Sequence, residues 1–390
     1  MKAISKLNTF VNRSFFKDYR TLFGLWAILS IVSGLIKSKG NNYLIFKGVF
    51  WHTIQKTSLY STYPEYYDTN HYGPFFSLII APFSICPNMM GKAFWVIALT
   101  VTLYYAIRKL PLSQKQHIFI YWFCANELLT ALFMQQFNIT IAAVIIASFY
   151  CVEKEKDVWA TFFIMLGTFV KLYGIMGFAF FFFSKHKKAF VLSTLGWAFI
   201  MFCAPMLISS PEYIISQYKE WWLSLSQKNG VNLLAGYQNI SALGMIRKIS
   251  GCTSYSDIWI LLAAALAFII PYFRLNQYKH IAFRYAILAS SLMFVVLFST
   301  GSESSSYIIA LIGVCLWYVT SPWKRTKTDV ALMIFAFILT SLSPTDLFPS
   351  VIKKCLIRPY ALKALPCFII WLKLCYEMYY KNYATDISQK

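Results

Sequence analysis

The chain has 390 residues, of which 58% are hydrophobic and only 13% are charged, and its formal net charge is +21 at pH 7. Its mean hydropathy of +0.55 excludes an ordinary soluble domain, and apolar runs recur along the whole length. The basic residues do not form a face that alternates with soluble structure, so they argue against a nucleic-acid-binding protein. They indicate membrane topology and contact with anionic lipid.

The apolar runs predict an all-α fold, a polytopic transmembrane helical bundle. A spanning helix needs roughly 20 mostly apolar residues, and on that basis we expect about 10 to 13 helices. Residues 1–390 are interpreted as a single integral membrane domain with extracytoplasmic loops and interfacial helices. The candidate spans are 21–38, 75–107, 117–133, 138–152, 158–183, 189–208, 258–273, 283–299, 306–320, 329–342 and 361–380.

Basic residues predict the orientation. The first 20 residues hold five lysines and arginines against one acid, Asp18, so the N-terminus is expected to be cytoplasmic. The segments 108–115, 185–188, 274–284 and 324–327 are also basic and take the same side. This leaves 39–74 as the first extracytoplasmic loop and 209–257 as a large one, with 300–305 and 343–360 on the same face. No cleavable signal pattern is visible, and the arrangement suits a bacterial inner membrane.

The first loop carries scarce polar groups at a membrane surface. Glu65 and Asp68 precede His71 and Tyr72, and the chain then enters an apolar helix after Pro74. Acids at this depth are expected to bind a polar substrate or to move its proton, although an interfacial aromatic belt would also explain the segment. The apolar stretch 75–107 is long for one span, and a half-length helix at 75–87 would restore the up-down count.

Metal ligation and disulfide formation receive little support. His52 and His71, with the nearby acids, could hold a divalent metal, but their spacing matches no strong motif, so we assign no metal and no cofactor. The nine cysteines also lack metal-ligand spacing. Only Cys252 and Cys355 fall in external segments, where a disulfide between them could form.

Lys171 interrupts an apolar run whose two flanks both look cytoplasmic. An even number of crossings must therefore fit into 158–183, which predicts two short helices with Lys171 near their external turn. A buried ammonium needs a partner or a water-filled cavity, and a phosphate would serve. The alternative is a lysine that snorkels to the interface.

Further polar side chains lie at the predicted outer ends of helices. Gln136 and Asn138 could bind sugar hydroxyls or hold helices together. The large loop opens at Ser210, followed by Pro211 and Glu212, which predicts the start of an amphipathic interfacial helix. Glu303 is a lone carboxylate among small hydroxyl residues and could either face a ligand or cap the next helix.

These segments, in this order, resemble glycosyltransferase family 87, which comprises membrane enzymes of the GT-C class that use polyprenyl-phosphate sugars. The likeness covers most of residues 20–320, and its order is more specific than any one motif. The family's external-loop motif is similar to residues 42–46 together with Leu59-Tyr60 and Tyr72-Gly73-Pro74, and its G-Q-x-N motif is similar to Gln136-Phe137-Asn138. Its intramembrane K-x-x-P motif resembles Lys171-Leu172-Tyr173-Gly174, and its N-Q-S-L motif resembles Asn239-Ile240-Ser241-Ala242. Its final S-P-x-S-W-x-H-Y motif resembles residues 299–307.

The resemblance has two departures. The family's loop aspartate, expected to act as base, falls on Asn42, or on Asn41 if the register slips by one, and the family's late histidine falls on Ser306. An amide cannot act as a general base. If the chain is catalytic, Asp68 or Glu303 is the best replacement for this base, and Glu65 is the next candidate. Otherwise the chain binds the substrate without catalysing transfer.

The resemblance implies inverting transfer of a mannose-like hexose from a polyprenyl-phosphate donor to an extracytoplasmic lipid or glycan acceptor. A carboxylate would take the hydroxyl proton while Lys171 contacts the phosphate. The remaining proposed substrate contacts are Asn42, Glu65, His71, Tyr72, Gln136, Asn138, Asn239 and Ser241. The alternatives are a lipid-linked-oligosaccharide polymerase or ligase, a lipid or sugar transporter or flippase, and a non-catalytic lipid-sugar-binding relative.

Overall fold

The computed structural model describes residues 13–36, 40–232, 238–252 and 254–384, and within these ranges it is all helical. The α-helices are α1 (Tyr19–Ile36), α2 (Asn41–Gln55), α3 (Phe76–Ser84), α4 (Asn88–Lys109), α5 (Gln114–Met134), α6 (Asn138–Glu153), α7 (Asp157–Val170), α8 (Lys187–Cys203), α9 (Pro211–Asn232), α10 (Ala242–Ser250), α11 (Ile258–Ile269), α12 (Ile281–Leu297), α13 (Tyr307–Val319), α14 (Lys327–Phe335) and α15 (Leu365–Tyr380). A 3₁₀ helix at Leu172–Phe183 follows α7 after a break at Lys171, and a π-helical segment at Ala336–Leu342 continues α14.

The helix lengths confirm a polytopic helical membrane protein. Within the described residues, four helices are long and apolar enough to span a bilayer, namely α1, α4, α5 and α8 with its extension to Leu207. The count is five if the pair Ser350–Ile357 and Leu362–Tyr380, bent by 93°, is one span. Six shorter apolar helices of 10 to 17 residues complete the bundle. Each candidate span in the sequence except 329–342 overlaps at least one of these helices, and 329–342 is covered by α14 and the π-helical segment.

The central helices are α6, α12 and α13, whose side chains are buried on nearly every face. In contrast, α8 buries only Phe190 and Met201, and α11 buries only Ala264, although both helices are strongly apolar. An apolar helix with so few buried residues faces lipid, because exposing that much apolar surface to water would be unfavourable.

Lys171 lies where the sequence predicts it, at the break between two short helices. The first, α7, ends at Val170, and the 3₁₀ helix begins at Leu172 and packs back against it. The two helices pack closely because each carries a glycine at the contact. A Cβ on Gly174 would lie 2.6 Å from the Gly167 Cα. The turn therefore places an ammonium at one end of the bundle.

A short helix after the first loop also matches the expectation from sequence. The helix α3 covers only Phe76–Ser84, and α4 then begins at Asn88. The loop enters α3 through Gly73, whose amide donates to Val170 O at 3.0 Å. A Cβ at Gly73 would lie 2.2 Å from Phe169 O, so only glycine permits this approach to the Lys171 turn.

The structure gives no support to the considered disulfide. Cys252 and Cys355 are both exposed free thiols. The Cys252 thiol contacts the hydroxyl of Ser254 at 3.3 Å.

Candidate functional site

One cavity of about 360 Å³ collects polar groups from six separate segments of the chain. It lies at the end of the bundle marked by the Lys171 turn, between α2, the first loop, α9 and the turn that precedes α13. Its polar lining residues are Asn42, Asp68, Thr69, Asn70, His71, Tyr72, Gln136, Lys171, Tyr173, Lys228, Asn229, Asn232, Ser299, Thr300 and Glu303.

A chain of hydrogen bonds runs along the floor of this cavity. Lys171 Nζ donates to Asn138 Oδ1 at 2.7 Å, and Asn138 Nδ2 donates to Gln136 Oε1 at 2.7 Å. Gln136 Nε2 in turn donates to Glu303 Oε2 at 2.7 Å. The network orients one cation and one carboxylate toward the same space, because each amide uses its oxygen on one side and its nitrogen on the other.

Aromatic rings form the wall beside Lys171. Its ammonium lies 4.5 Å from the centre of the Tyr173 ring and 5.9 Å from that of Tyr72. The Tyr72 ring stacks on Phe46 with 4.9 Å between centroids, and its hydroxyl accepts a hydrogen bond from Phe137 N at 3.0 Å. The contacts of Tyr72 hold it between α2 and the start of α6. The faces of the Tyr72 and Tyr173 rings then interact favourably with the Lys171 ammonium.

The two asparagines at the start of α2 have different surroundings. Asn41 exchanges two hydrogen bonds with the Tyr67 backbone, which occupies its amide group. Asn42 donates to Met134 O at 2.7 Å and lines the cavity. Of these two asparagines, Asn42 is therefore the one that faces the cavity, and it presents an amide there.

Asp68 lies at the mouth of the cavity and remains half exposed. Its Oδ2 is 3.6 Å from Lys228 Nζ, and its Oδ1 is 3.9 Å from His71 Nε2 and accepts from Thr69 N at 2.9 Å. Its backbone is left-handed, with φ of 70°. A non-glycine residue in this conformation is uncommon, and the surrounding contacts must hold it there.

These neighbours keep Asp68 ionised. The His71 side chain is the largest influence that lowers the pKa of Asp68 well below its usual value, and the Thr69 amide and the Lys228 ammonium act in the same direction. Partial burial acts against them. On its other side, His71 Nδ1 lies 3.0 Å from the Ser224 hydroxyl. With Ser224 donating to Nδ1, the Nε2 proton would point toward Asp68.

The helix α9 forms one wall of the cavity. Trp221 Nε1 donates to His71 O at 2.9 Å, and Gln217 Oε1 accepts from Leu59 N at 2.8 Å, so the helix is fixed to the first loop. Near its other end, Asn232 Nδ2 donates to Thr300 O at 3.2 Å. The amphipathic helix expected from the sequence therefore bridges the first loop and the 300–303 turn.

A buried ion pair supports the turn that carries Glu303. Lys363 Nζ donates to Glu127 Oε1 at 2.7 Å and to the Ser304 carbonyl and hydroxyl at 3.0 and 2.8 Å. Both charged side chains are almost fully buried inside the bundle. Ser306 is also buried, and its hydroxyl accepts from Glu303 N at 3.3 Å. The structure thus gives Ser306 a capping role in this turn.

Most of the site residues proposed from the sequence line the cavity, and the others do not. Asn42, Asp68, His71, Tyr72, Gln136, Lys171 and Glu303 all line the cavity. Asn138 lies behind this lining and positions Lys171 and Gln136, whereas Glu65 is exposed on the loop surface. Asn239 and Ser241 are buried and bonded to each other at 2.7 Å, and Ser241 caps α10. Ile240 N, between them, donates to Ser302 O, so this segment supports the Glu303 turn from behind.

Several lining residues were not singled out as site residues by sequence reasoning. Lys228 is the most important, because it is the second ammonium at the cavity and it contacts Asp68. Asn229, Asn232 and Tyr173 also line it. A helical-wheel reading of α9 could have found part of this set, since positions 221, 225, 228 and 232 follow the helical spacing of one face.

The described part of the chain offers no metal site. No group of three or more His, Cys, Asp and Glu side chains within those ranges is placed to hold a metal ion. His52 is stacked on Tyr63, with 3.8 Å between ring centroids, and does not line the cavity.

Comparison with protein families gives a match over a large part of the chain. The model of glycosyltransferase family 87 matches residues 70–300, which is more than half of the chain. The matched range contains most of the cavity lining and leaves Asn42 and Asp68 before its start. No curated protein matches the chain.

Proposed function

The chain belongs to glycosyltransferase family 87 and is a membrane glycosyltransferase, and we propose that it transfers a hexose from a polyprenyl monophosphate to an acceptor hydroxyl outside the membrane. The observation that carries this proposal is the single cavity that combines two ammonium groups, two carboxylates and uncharged amides. Such a set can bind an anionic leaving group and sugar hydroxyls together and can accept a proton.

The donor phosphate would bind between Lys171 and Lys228. The ammonium of Lys171 donates one hydrogen bond, to Asn138, and lies against the Tyr72 and Tyr173 rings, which orient it toward the cavity. Lys228 lines the same cavity from α9, with its ammonium 3.6 Å from Asp68 Oδ2. A charge-assisted bond to a phosphate oxygen grows stronger as the leaving group gains charge, so these cations would favour the transition state over the bound donor.

The lipid tail of the donor would occupy an apolar groove that joins the cavity. This groove, of about 620 Å³, shares Tyr173, Ser299 and Thr300 with the cavity. It continues between the 3₁₀ helix, α11 and α12, where Leu172, Ile175, Met176, Ile258, Leu261, Phe294 and Phe298 line it. The ion pair of Arg247 and Asp257 also lies along this groove. Because α11 exposes its apolar side chains, the groove would be reached from the bilayer, as a polyprenyl chain requires.

Asp68 is the proposed base. In the reaction, the acceptor oxygen bonds to the anomeric carbon, the bond from that carbon to the phosphate oxygen breaks, and the polyprenyl phosphate leaves with the electron pair. The carboxylate of Asp68 takes the hydroxyl proton, and attack opposite the phosphate inverts the configuration. Glu303 is held by Gln136 and by its own helix cap, so we assign it to orienting Gln136 and to balancing the charge of Lys171.

The cavity is proposed to face the extracytoplasmic side of a bacterial inner membrane. The helix α4 starts near the cavity, where Lys47 Nζ donates a hydrogen bond to Asn88 Oδ1 at 2.8 Å. It runs to Arg108 and Lys109 at its other end. The helix α6 likewise starts at the cavity and ends at Glu153, which pairs with Arg284 at 2.7 Å. The basic loops are thus opposite the cavity, as positive-inside topology requires for a cytoplasmic N-terminus.

The test is a transfer assay with purified protein in nanodiscs and radiolabelled polyprenyl-phosphate hexoses, alongside diphosphate-linked glycans and a broad acceptor mixture. We expect transfer from a monophosphate donor, with an anomeric configuration in the product opposite to that of the donor. Transfer from the diphosphate donors alone would identify a polymerase or ligase. Donor binding without any turnover would identify a non-catalytic relative, and absence of binding would overturn the proposal.

The pH dependence of transfer tests the role of Asp68. The carboxylate is active only when ionised, and His71 lowers its pKa, so activity should persist to more acidic pH than for an ordinary aspartate. Replacing His71 with leucine should raise the pKa of Asp68 toward its usual value of about 3.9. The acidic limb of kcat/KM against pH should then move to higher pH. The exposed His186, changed to Gln, is the control, and an unchanged limb in the His71→Leu variant would contradict the assignment.

A further inference from the structure

A second, open cleft joins the donor cavity at Asp68 and shares no lining residue with the apolar groove. It has a volume of about 470 Å³ and shares Asp68, Thr69, His71 and Lys228 with the donor cavity. From this arrangement we infer that the cleft is the acceptor site and that it takes a water-soluble, polyhydroxylated chain end rather than a lipid. The inference rests on the proposed function, because it assigns the second substrate of the same reaction.

The position of Asp68 carries the first step. It lines both the donor cavity and the cleft, and its carboxylate is half exposed at their junction. A base must lie within hydrogen-bond reach of the hydroxyl that it deprotonates. An acceptor held in the cleft would present that hydroxyl to Asp68, while the anomeric carbon of the donor lies on the other side.

The lining of the cleft carries the second step. Beside the apolar or aromatic side chains of Tyr60, Leu223 and Val231, it contains the hydroxyls of Ser58, Ser61 and Ser224, the carboxylate of Glu220 and the amide of Gln227. Glu220 is already oriented, because Oε2 accepts from Ser58 at 2.6 Å and Oε1 accepts from Gln217 at 3.0 Å. These groups both donate and accept hydrogen bonds, which suits the vicinal hydroxyls of a sugar.

The two entrances to the cavity lie against different parts of the fold, and this carries the third step. The apolar groove and the cleft have no lining residue in common. The groove is reached past lipid-facing α11, whereas the cleft lies between the first loop and α9, beside the exposed Ser61 and Gln227. A lipid acceptor would have to compete with the donor for the groove. A hydrophilic acceptor can enter through the cleft while the donor stays bound.

The test uses cysteine protection, which does not depend on turnover. Ser61→Cys places a thiol in the cleft, and Gln227→Cys places one on its α9 side. Tyr67→Cys is the matched control, because Tyr67 is 83% exposed in the same loop and does not line the cleft. Maleimide labelling rates are read by peptide mass spectrometry, so that the exposed Cys252 and Cys355 do not interfere.

The probes are methyl hexopyranosides, their octyl counterparts and a polyprenyl-phosphate hexose. We expect at least one methyl glycoside to slow labelling at positions 61 and 227 by about fivefold when its concentration is about four times its Kd. The octyl glycoside should add little, and position 67 should be unaffected. No protection by any methyl glycoside, protection only by octyl glycosides, or stronger protection by the donor would each overturn the inference. Protection by sugars without any transfer would leave the acceptor site standing and would count against the proposed function.

Discussion

Replacing Asp68 with asparagine is expected to abolish sugar transfer while donor binding survives. The amide keeps the size and much of the polarity of the carboxylate but cannot accept the proton of the acceptor hydroxyl. Loss of a general base typically lowers the rate by about 10²- to 10⁴-fold. The measurement is kcat for transfer, with the Kd of the polyprenyl-phosphate hexose determined in parallel on the same preparation.

Two variants make this result interpretable. Glu65→Gln removes an acid from the same loop, but Glu65 does not line the cavity, so its kcat should stay close to that of the wild type. Glu303→Gln removes the second carboxylate of the cavity and should disturb the hydrogen bond with Gln136. If Glu303→Gln abolished transfer while Asp68→Asn kept it, the base would be Glu303 and our assignment would be wrong.

Replacing Lys171 with glutamine is expected to weaken donor binding strongly. The glutamine amide can still donate to Asn138, but the charge that would contact the phosphate is lost. A hydrogen bond to a charged group contributes about 1.5 to 3 kcal/mol, which corresponds to an increase of about 10- to 150-fold in Kd. The measurement is the Kd of the polyprenyl-phosphate hexose, with transfer rates at saturating donor.

The controls separate a phosphate contact from a general effect of charge. Lys115→Gln removes an exposed ammonium at the first turn of α5, at the opposite end of the bundle, and should leave the Kd unchanged. Uncharged polyprenol should bind wild type and Lys171→Gln alike, because it lacks the phosphate. Equal loss of affinity for polyprenol would mean that Lys171 only shapes the cavity.

The amide at Asn42 is the clearest departure from the resemblance found in the sequence. Asn42 lines the cavity, and Asn41, the other candidate register, is occupied by the Tyr67 backbone. Asp68 lies across the same cavity on the loop that follows α2. A base at Asp68 would keep a carboxylate in this cavity although the family position, Asn42, is neutral.

The sequence by itself determined the membrane class, the apolar helices and the turn at Lys171, but it did not predict α2, which lies in the segment interpreted as the first loop. These features depend on the length of apolar runs and on the cost of a charge among them, and both act locally along the chain. It also predicted that most of the polar segments in the cavity belong together, through the order of weak motifs. Composition could not tell which polar side chain in each segment faces the site.

Only the tertiary structure decided those partners. Lys228 meets Asp68 because α9 packs over the first loop, 160 residues away in sequence. Asn239 and Ser241 turn away because their backbone supports the Glu303 turn, and Glu303 itself bonds to Gln136 across 167 residues. Contacts at such separations are fixed by which helices share a buried face. No local pattern encodes that choice, because burial and hydrogen bonding of polar groups are satisfied only once the helices have packed.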